Sequence, residues 1–127
     1  MAQLQVTIIA AKNLTKKDTF SENDPFVEVY LDNKQLKKRT KTEQNSKFPH
    51  WNETFVFNHL TGQDTLHVHI YDEDQIKDEK IGSVIIDLHQ LYELGHINRW
   101  YELTGKAGST SSEGQIHLIL DFERLKI

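Results

Sequence analysis

The sequence predicts an all-β fold: an eight-stranded antiparallel sandwich with one short helix near 88–94. Three observations lead there. Apolar residues alternate with polar ones at a spacing of two in several short segments, which is the period of a strand with one buried face. Polar, turn-forming stretches separate those segments at intervals that suit a sandwich. No helical period alternates with the strands, so parallel βαβ units are not expected.

Leu4, Val6, Ile8 and Ala10 form the first alternation. Lys12 to Pro25 is polar and ends in the turn signal Asn23-Asp24-Pro25. Phe26 to Leu31 sets Val27, Val29 and Leu31 against Phe26, Glu28 and Tyr30. Residues 36–42 read as a polar strand, and Thr54 to Phe57 as a short aromatic one. Leu66, Val68 and Ile70 alternate with His67, His69 and Tyr71, and the histidines are expected on a solvated outer face. Ile81 to Leu88 is an apolar run broken by Gly82. Leu88–Leu94 is the predicted helix, with Gly95 as its C-terminal cap. Trp100–Leu103 and Ile116–Phe122 complete the set, and GKAGSTSSEG over 105–114 is a loop by composition.

The 127 residues suit a single domain spanning 1–127, large enough for a core without disulfides. The absence of cysteine excludes a thiolate metal site and a cysteine nucleophile, and it fits a cytoplasmic setting. No run reaches the roughly 18 apolar residues of a spanning helix. The first residues, Met1 to Leu4, show neither signal-peptide pattern nor myristoylation glycine, so the sequons at Asn13 and Asn52 are expected to stay unmodified. A net charge of −4 does not describe a nucleic-acid binder. The charge is unevenly placed. Eight acids fall within 18–24 and 72–79, and a basic cluster fills 34–41.

Asp18 and Asp24 bracket the first long loop, and Asp72, Asp74, Asp78 and Glu79 crowd the loop after the fifth strand. Asp72 and Asp74 are alternate residues at a strand end, so they can converge on one point. Crowded carboxylates repel each other, and a hard cation relieves the repulsion. Calcium accepts about six to eight oxygen ligands in irregular geometry, which suits carboxylates from two loops. Simple solvation of the acidic loops is the competing reading. A helix-loop-helix calcium site is excluded, because its fifth, sixth and twelfth places would be Ile76, Lys77 and Ser83. Counting strands does not decide whether the two loops share an end.

Five segments resemble the C2 family in the right order. Asp18 … Asp24-Pro25-Phe26-Val27 looks like the family's first calcium loop, and Pro49-His50-Trp51-Asn52-Glu53-Thr54-Phe55-Val56-Phe57 is similar to its central strand motif. Tyr71-Asp72-Glu73-Asp74 … Ile81-Gly82 resembles the third loop, and Trp100–Leu103 with Gly114–Leu118 resembles the closing strands. The resemblance implies a sandwich with its loops gathered at one end, in the circularly permuted order often called type II. It implies calcium as cofactor, held by Asp18, Asp24, Asp72, Asp74 and Glu79, with Asp78 able to substitute where the family usually has Asp. Trp51, Asn52, Glu53 and Phe55 are read as holding the fold.

The resemblance further implies a monomeric, non-catalytic module that docks on anionic phospholipid membranes. Such a module would be cytoplasmic, and peripherally membrane-associated when calcium is present. Phe20 and Ile76 would insert at the loop tips, while Lys16, Lys17, Lys77 and Lys80 would meet lipid head groups at roughly 1 kcal/mol each. The alternative is a calcium-independent module that binds a protein partner, or binds phosphoinositide through Lys37, Arg39 and Lys41. The neighbouring positions expected on that face, around Asn58 and Leu60, are not basic, and Phe48 stands where the family usually has asparagine. A lysine-rich strand also serves to discourage edge aggregation.

Overall fold

The computed structural model describes residues 2–17, 21–105 and 111–125. Asp18, Phe20 and positions 106–110 of the long loop lie outside the described residues. The strands are β1 (Ala2–Lys12), β2 (Pro25–Tyr30), β3 (Lys38–Arg39), β4 (His50–His59), β5 (Thr65–Asp72), β6 (Glu79–Asp87), β7 (His96–Thr104) and β8 (Ser112–Arg124). One helix, α1, spans His89–Leu94.

All pairings are antiparallel, in the order β3-β2-β5-β6-β7-β8-β1-β4. β6 and β7 meet through the single pair Ser83↔Thr104, so the ladder divides into two four-stranded sheets, β3-β2-β5-β6 and β7-β8-β1-β4. The two sheets pack around a core of Val27, Val29, Leu66, Val68 and Ile70 on one side and Leu4, Val6, Ile8, Leu118 and Leu120 on the other. These are the residues whose spacing of two predicted a buried face.

α1 forms where expected. Asp87 Oδ1 accepts the His89 N–H at 3.0 Å, Leu91 is buried, and Gly95 closes the helix at φ 76°, donating its N–H to the Leu91 carbonyl at 2.7 Å.

The expected strand over 36–42 is corrected. Lys34–Leu36 form a 3-10 turn, and only Lys38–Arg39 pair with β2. Asn33 starts the turn by accepting the Gln35 N–H at 2.9 Å. Beyond Arg39, the Thr40 hydroxyl accepts the Val27 N–H at 2.9 Å, a bond that a backbone carbonyl would take in a regular ladder. β4 and β7 extend further than their apolar stretches. Most of the additional residues are polar, such as His50 and Asn98, which pair with β1 and β8, but they include buried Trp51 and the core-packed Ile97.

Candidate functional site

The register places the relevant loops together. Pro25 faces Asp72 across β2 and β5, Asp72 faces Glu79 across β5 and β6, and Ala10 faces His50 across β1 and β4. The connections 13–24, 40–49 and 73–78 therefore emerge at one end of the sandwich.

Asp24 and Asp72 are brought into contact. The Asp24 N–H donates to Asp72 Oδ1 at 2.8 Å, and the Glu73 N–H donates to the Asp24 carbonyl at 2.9 Å. Asp72 is 5% exposed, so its carboxylate sits at the floor of the loop cluster. Asp74 and Asp78 lie exposed within the 73–78 loop. Asp78 Oδ1 accepts the Asp74 N–H at 3.0 Å, and Asp74 Oδ1 accepts the Ile76 N–H at 3.1 Å. Glu79 is exposed at the first position of β6. Ile76 is 95% exposed at the tip, beside exposed Lys77. Lys80 and Lys17 are exposed too, and Lys16 Nζ lies 4.0 Å from Glu22.

Every candidate ligand here is a carboxylate oxygen, the donor type that a hard divalent cation takes. The donor chemistry fits calcium. Among the described residues, however, no group of three or more His, Cys, Asp or Glu side chains is gathered closely enough to hold a metal. Several of these carboxylate oxygens are instead engaged by backbone N–H groups of the loops, as the bonds to Asp24, Asp72, Asp74 and Asp78 show.

The sequence reading had no role for the loop between β3 and β4. The Asn45 N–H donates to Asp24 Oδ1 at 2.5 Å, and Asn45 Oδ1 accepts the Glu22 N–H at 3.0 Å. The Ser46 N–H reaches the Asn23 carbonyl at 2.9 Å, and the Glu43 N–H reaches the Pro25 carbonyl at 3.0 Å. Trp51 Nε1–H donates to the same Pro25 carbonyl at 3.3 Å, tying β4 to the start of β2. The local signal was Asn45 itself, at φ 49°, a left-handed position that asparagine tolerates.

Lys37 and Arg39 do share one face, with Lys38 on the other side 5.5 Å from the Phe57 ring centroid. The neighbouring strand on this sheet is β2, not the region of Asn58 and Leu60. Its Glu28 holds Lys37 at 3.0 Å, while Arg39 binds Glu73 at 2.8 Å and lies 3.6 Å from the Phe26 ring centroid. Much of this positive charge is thus already paired. Lys41 is exposed, and its N–H donates to Glu53 Oε2 at 2.8 Å.

His67 and His69 are half-buried rather than simply solvated. Tyr30 stacks on both, with ring centroids 4.6 Å and 5.6 Å away. Burial, followed by the charges of Lys80, His67 and Lys34, lowers the His69 pKa to about 4.

At the opposite end, His59 Nε2 lies 2.7 Å from the Gln63 carbonyl and 2.8 Å from the Tyr92 hydroxyl, and Tyr92 donates to Asp64 at 2.8 Å. This network borders a cavity of about 170 Å³ and fastens the β4–β5 turn to α1. Its polar groups are satisfied within the fold.

Among the described residues, no helix is long and apolar enough to cross a membrane. A C2 domain family model matches residues 2–103. Synaptotagmin-4 of Arabidopsis thaliana is 34% identical over 106 residues, covering 80% of this chain and 18% of that protein. Synaptotagmin-7 of Homo sapiens is 32% identical over 123 residues, covering 92% of this chain and 30% of that protein. This chain therefore spans less than a third of either relative. The C2A domain of plant Extended Synaptotagmin 1 superposes with a TM-score of 0.85 at 26% identity, over 99% of this chain and 97% of that one. The C2A and C2B domains of Extended-Synaptotagmin 2 give a TM-score of 0.81 at 27% identity, over 95% and 40%. Fold, loop arrangement and sequence agree, and the chain belongs to the C2 domain family.

Proposed function

We propose that this chain is a non-catalytic module that docks on anionic phospholipid membranes in the presence of calcium, using the loop end of the sandwich. It would be cytoplasmic and peripherally associated with the membrane. The observation that carries the reading is the junction of Asp24 and Asp72. The backbone N–H of one acidic loop holds the carboxylate of the other at 2.8 Å, and the second of those loops also carries a 95% exposed isoleucine.

Asp24, Asp72 and Asp74 would hold the ion together with Asp18, with Glu79 or Asp78 completing the set. Bound calcium supplies positive charge in an acidic mouth and coordination positions for lipid phosphate oxygens. The protein's own groups do the rest. Asp72 stays fixed by its place at the end of β5 and by the Asp24 N–H. Ile76 and Phe20 would enter the interfacial zone, gaining about 25 cal/mol per Å² of apolar surface removed from water. Lys17, Lys77 and Lys80 would lie at the head-group level.

The test is co-sedimentation with phosphatidylserine vesicles, in calcium and in chelator. Binding only in calcium is expected. Binding in both conditions would move the site to Lys37, Arg39 and Lys41, beside a groove of about 500 Å³ lined in part by Phe26 and Tyr71. The pairing of Lys37 with Glu28 and of Arg39 with Glu73 makes that the weaker surface for a phosphoinositide. Binding in neither condition would favour a protein partner.

A further inference from the structure

We infer that the β3–β4 loop is an additional membrane-contacting arm, which places the Phe48 ring in the interface of an anionic bilayer alongside Ile76. This inference rests on the docking reading above and adds a loop and a residue to it.

Phe48 is 56% exposed, a large apolar ring left in water by the fold. Its position is fixed from both sides. The next residue, Pro49, is buried and its carbonyl accepts the Ala11 N–H at 3.1 Å, while His50 pairs with Ala10 near the end of β1. On the other side, Asn45 and Ser46 bond to Asp24 and Asn23. Position 48 therefore lies at the same end as Ile76, with its ring exposed, in a loop fastened to its neighbour. A loop already held in place loses little conformational entropy when it binds. Asn45 also attaches this arm to Asp24, one of the carboxylates proposed to hold calcium.

The charge around the ring selects the partner. Lys47 Nζ lies 5.9 Å from the Phe48 ring centroid, and Lys77 follows Ile76 in the chain. Each of the two apolar residues thus has a lysine as its chain neighbour. Protein interfaces deplete lysine at their apolar cores. An anionic bilayer accepts both features at once, with the ring in the interfacial zone and the ammonium at the phosphate level.

The chain has no cysteine, so a single introduced cysteine gives a unique labelling site. Phe48→Cys, Ile76→Cys and Leu60→Cys would each carry an environment-sensitive fluorophore. Leu60 is 55% exposed but belongs to the opposite end, so it serves as the control. With phosphatidylcholine–phosphatidylserine vesicles and calcium, the labels at 48 and 76 should brighten and shift to the blue, and the label at 60 should not. Phe48→Ala should weaken vesicle binding roughly tenfold, with the thermal unfolding midpoint unchanged. A response at 76 with none at 48 would overturn the inference and leave the docking reading standing. An unlabelled protein that binds no vesicles would overturn both.

Discussion

Replacing Ile76 by Ala isolates the membrane contribution of one side chain. Ile76 is 95% exposed, so the fold gains nothing from its packing. The bond from its backbone N–H to Asp74 Oδ1 (3.1 Å) does not involve the side chain and survives the substitution. Stability should therefore change by less than about 0.5 kcal/mol. Ile→Ala removes three carbons, worth about 2 kcal/mol if fully transferred out of water. A tip that enters only the interfacial zone realises roughly half of that, about 1 kcal/mol, or a roughly fivefold loss of affinity. Titration of phosphatidylserine vesicles in saturating calcium, read by sedimentation, measures the affinity, and circular dichroism melting measures the stability. Ile76→Trp should act in the opposite direction, because indole favours the interface. Unchanged affinity in Ile76→Ala would remove Ile76 from the contact. A lower melting point would show that the tip folds back onto the sandwich, contrary to its exposure.

Further outcomes follow from other sites. Asp72→Asn keeps an acceptor for the Asp24 N–H but loses the charge, so it should raise the calcium needed for vesicle binding by at least roughly tenfold while the protein stays folded; an unchanged calcium requirement would refute the ligand role. Gly114→Ala should destabilise by about 2–4 kcal/mol in a denaturant titration, because φ is 129° and the added carbon would sit 2.9 Å from the Lys12 carbonyl oxygen and 3.0 Å from that of Asn13. His69, with its pKa lowered from 6.5 to about 4, remains neutral in the fold while the unfolded chain takes up a proton. Its stabilising contribution is complete above pH 6.5 and is lost as the pH falls toward 4, on the order of 1 kcal/mol after allowance for solvent screening. Chemical denaturation between those pH values should show this slope, and His69→Phe should flatten it.

The core was legible wherever one strand face is buried. Leu4, Val6 and Ile8, and likewise Ile116, Leu118 and Leu120, alternate in sequence and are fully buried in the fold. Strand length was less legible. His50 to Glu53 and His96 to Arg99 carry a single apolar residue each, Trp51 and Ile97, too few to mark a period, and a bulge opposite Ile8–Ala10 with Asn52 at φ 52° further breaks the alternation in β4. β3 was overestimated for the opposite reason. Its residues look extended, but at Thr40 a hydroxyl replaces part of the ladder. The outer face of β5 was misjudged because alternation separates inside from outside only. It does not reveal that Tyr30 of β2 lies across His67 and His69.

The candidate site divides along the same line. Asp72 and Asp74 were expected to converge as alternate residues at a strand end, but β5 ends at Asp72 and Asp74 turns into its own loop, accepting the Ile76 N–H at 3.1 Å. Whether the loop of Asp24 lies at the same end as Asp72 depended on which end each strand starts from, and residue periodicity carries no such information. The family motifs supplied it, and the 2.8 Å bond from Asp24 to Asp72 agrees with them. The β3–β4 loop left no comparable trace. It is tied to the site mainly by backbone N–H groups of Glu43, Asn45 and Ser46, and the side chain of Asn45 is its one specific signature. A loop held in that way can vary its exposed residues without losing its place. The scaffold thus fixes where position 48 stands, and sequence alone decides which side chain is exposed there. A departure from the family pattern at this exposed position is therefore expected to leave folding nearly unchanged, and the proposed membrane contact is where its effect should be read.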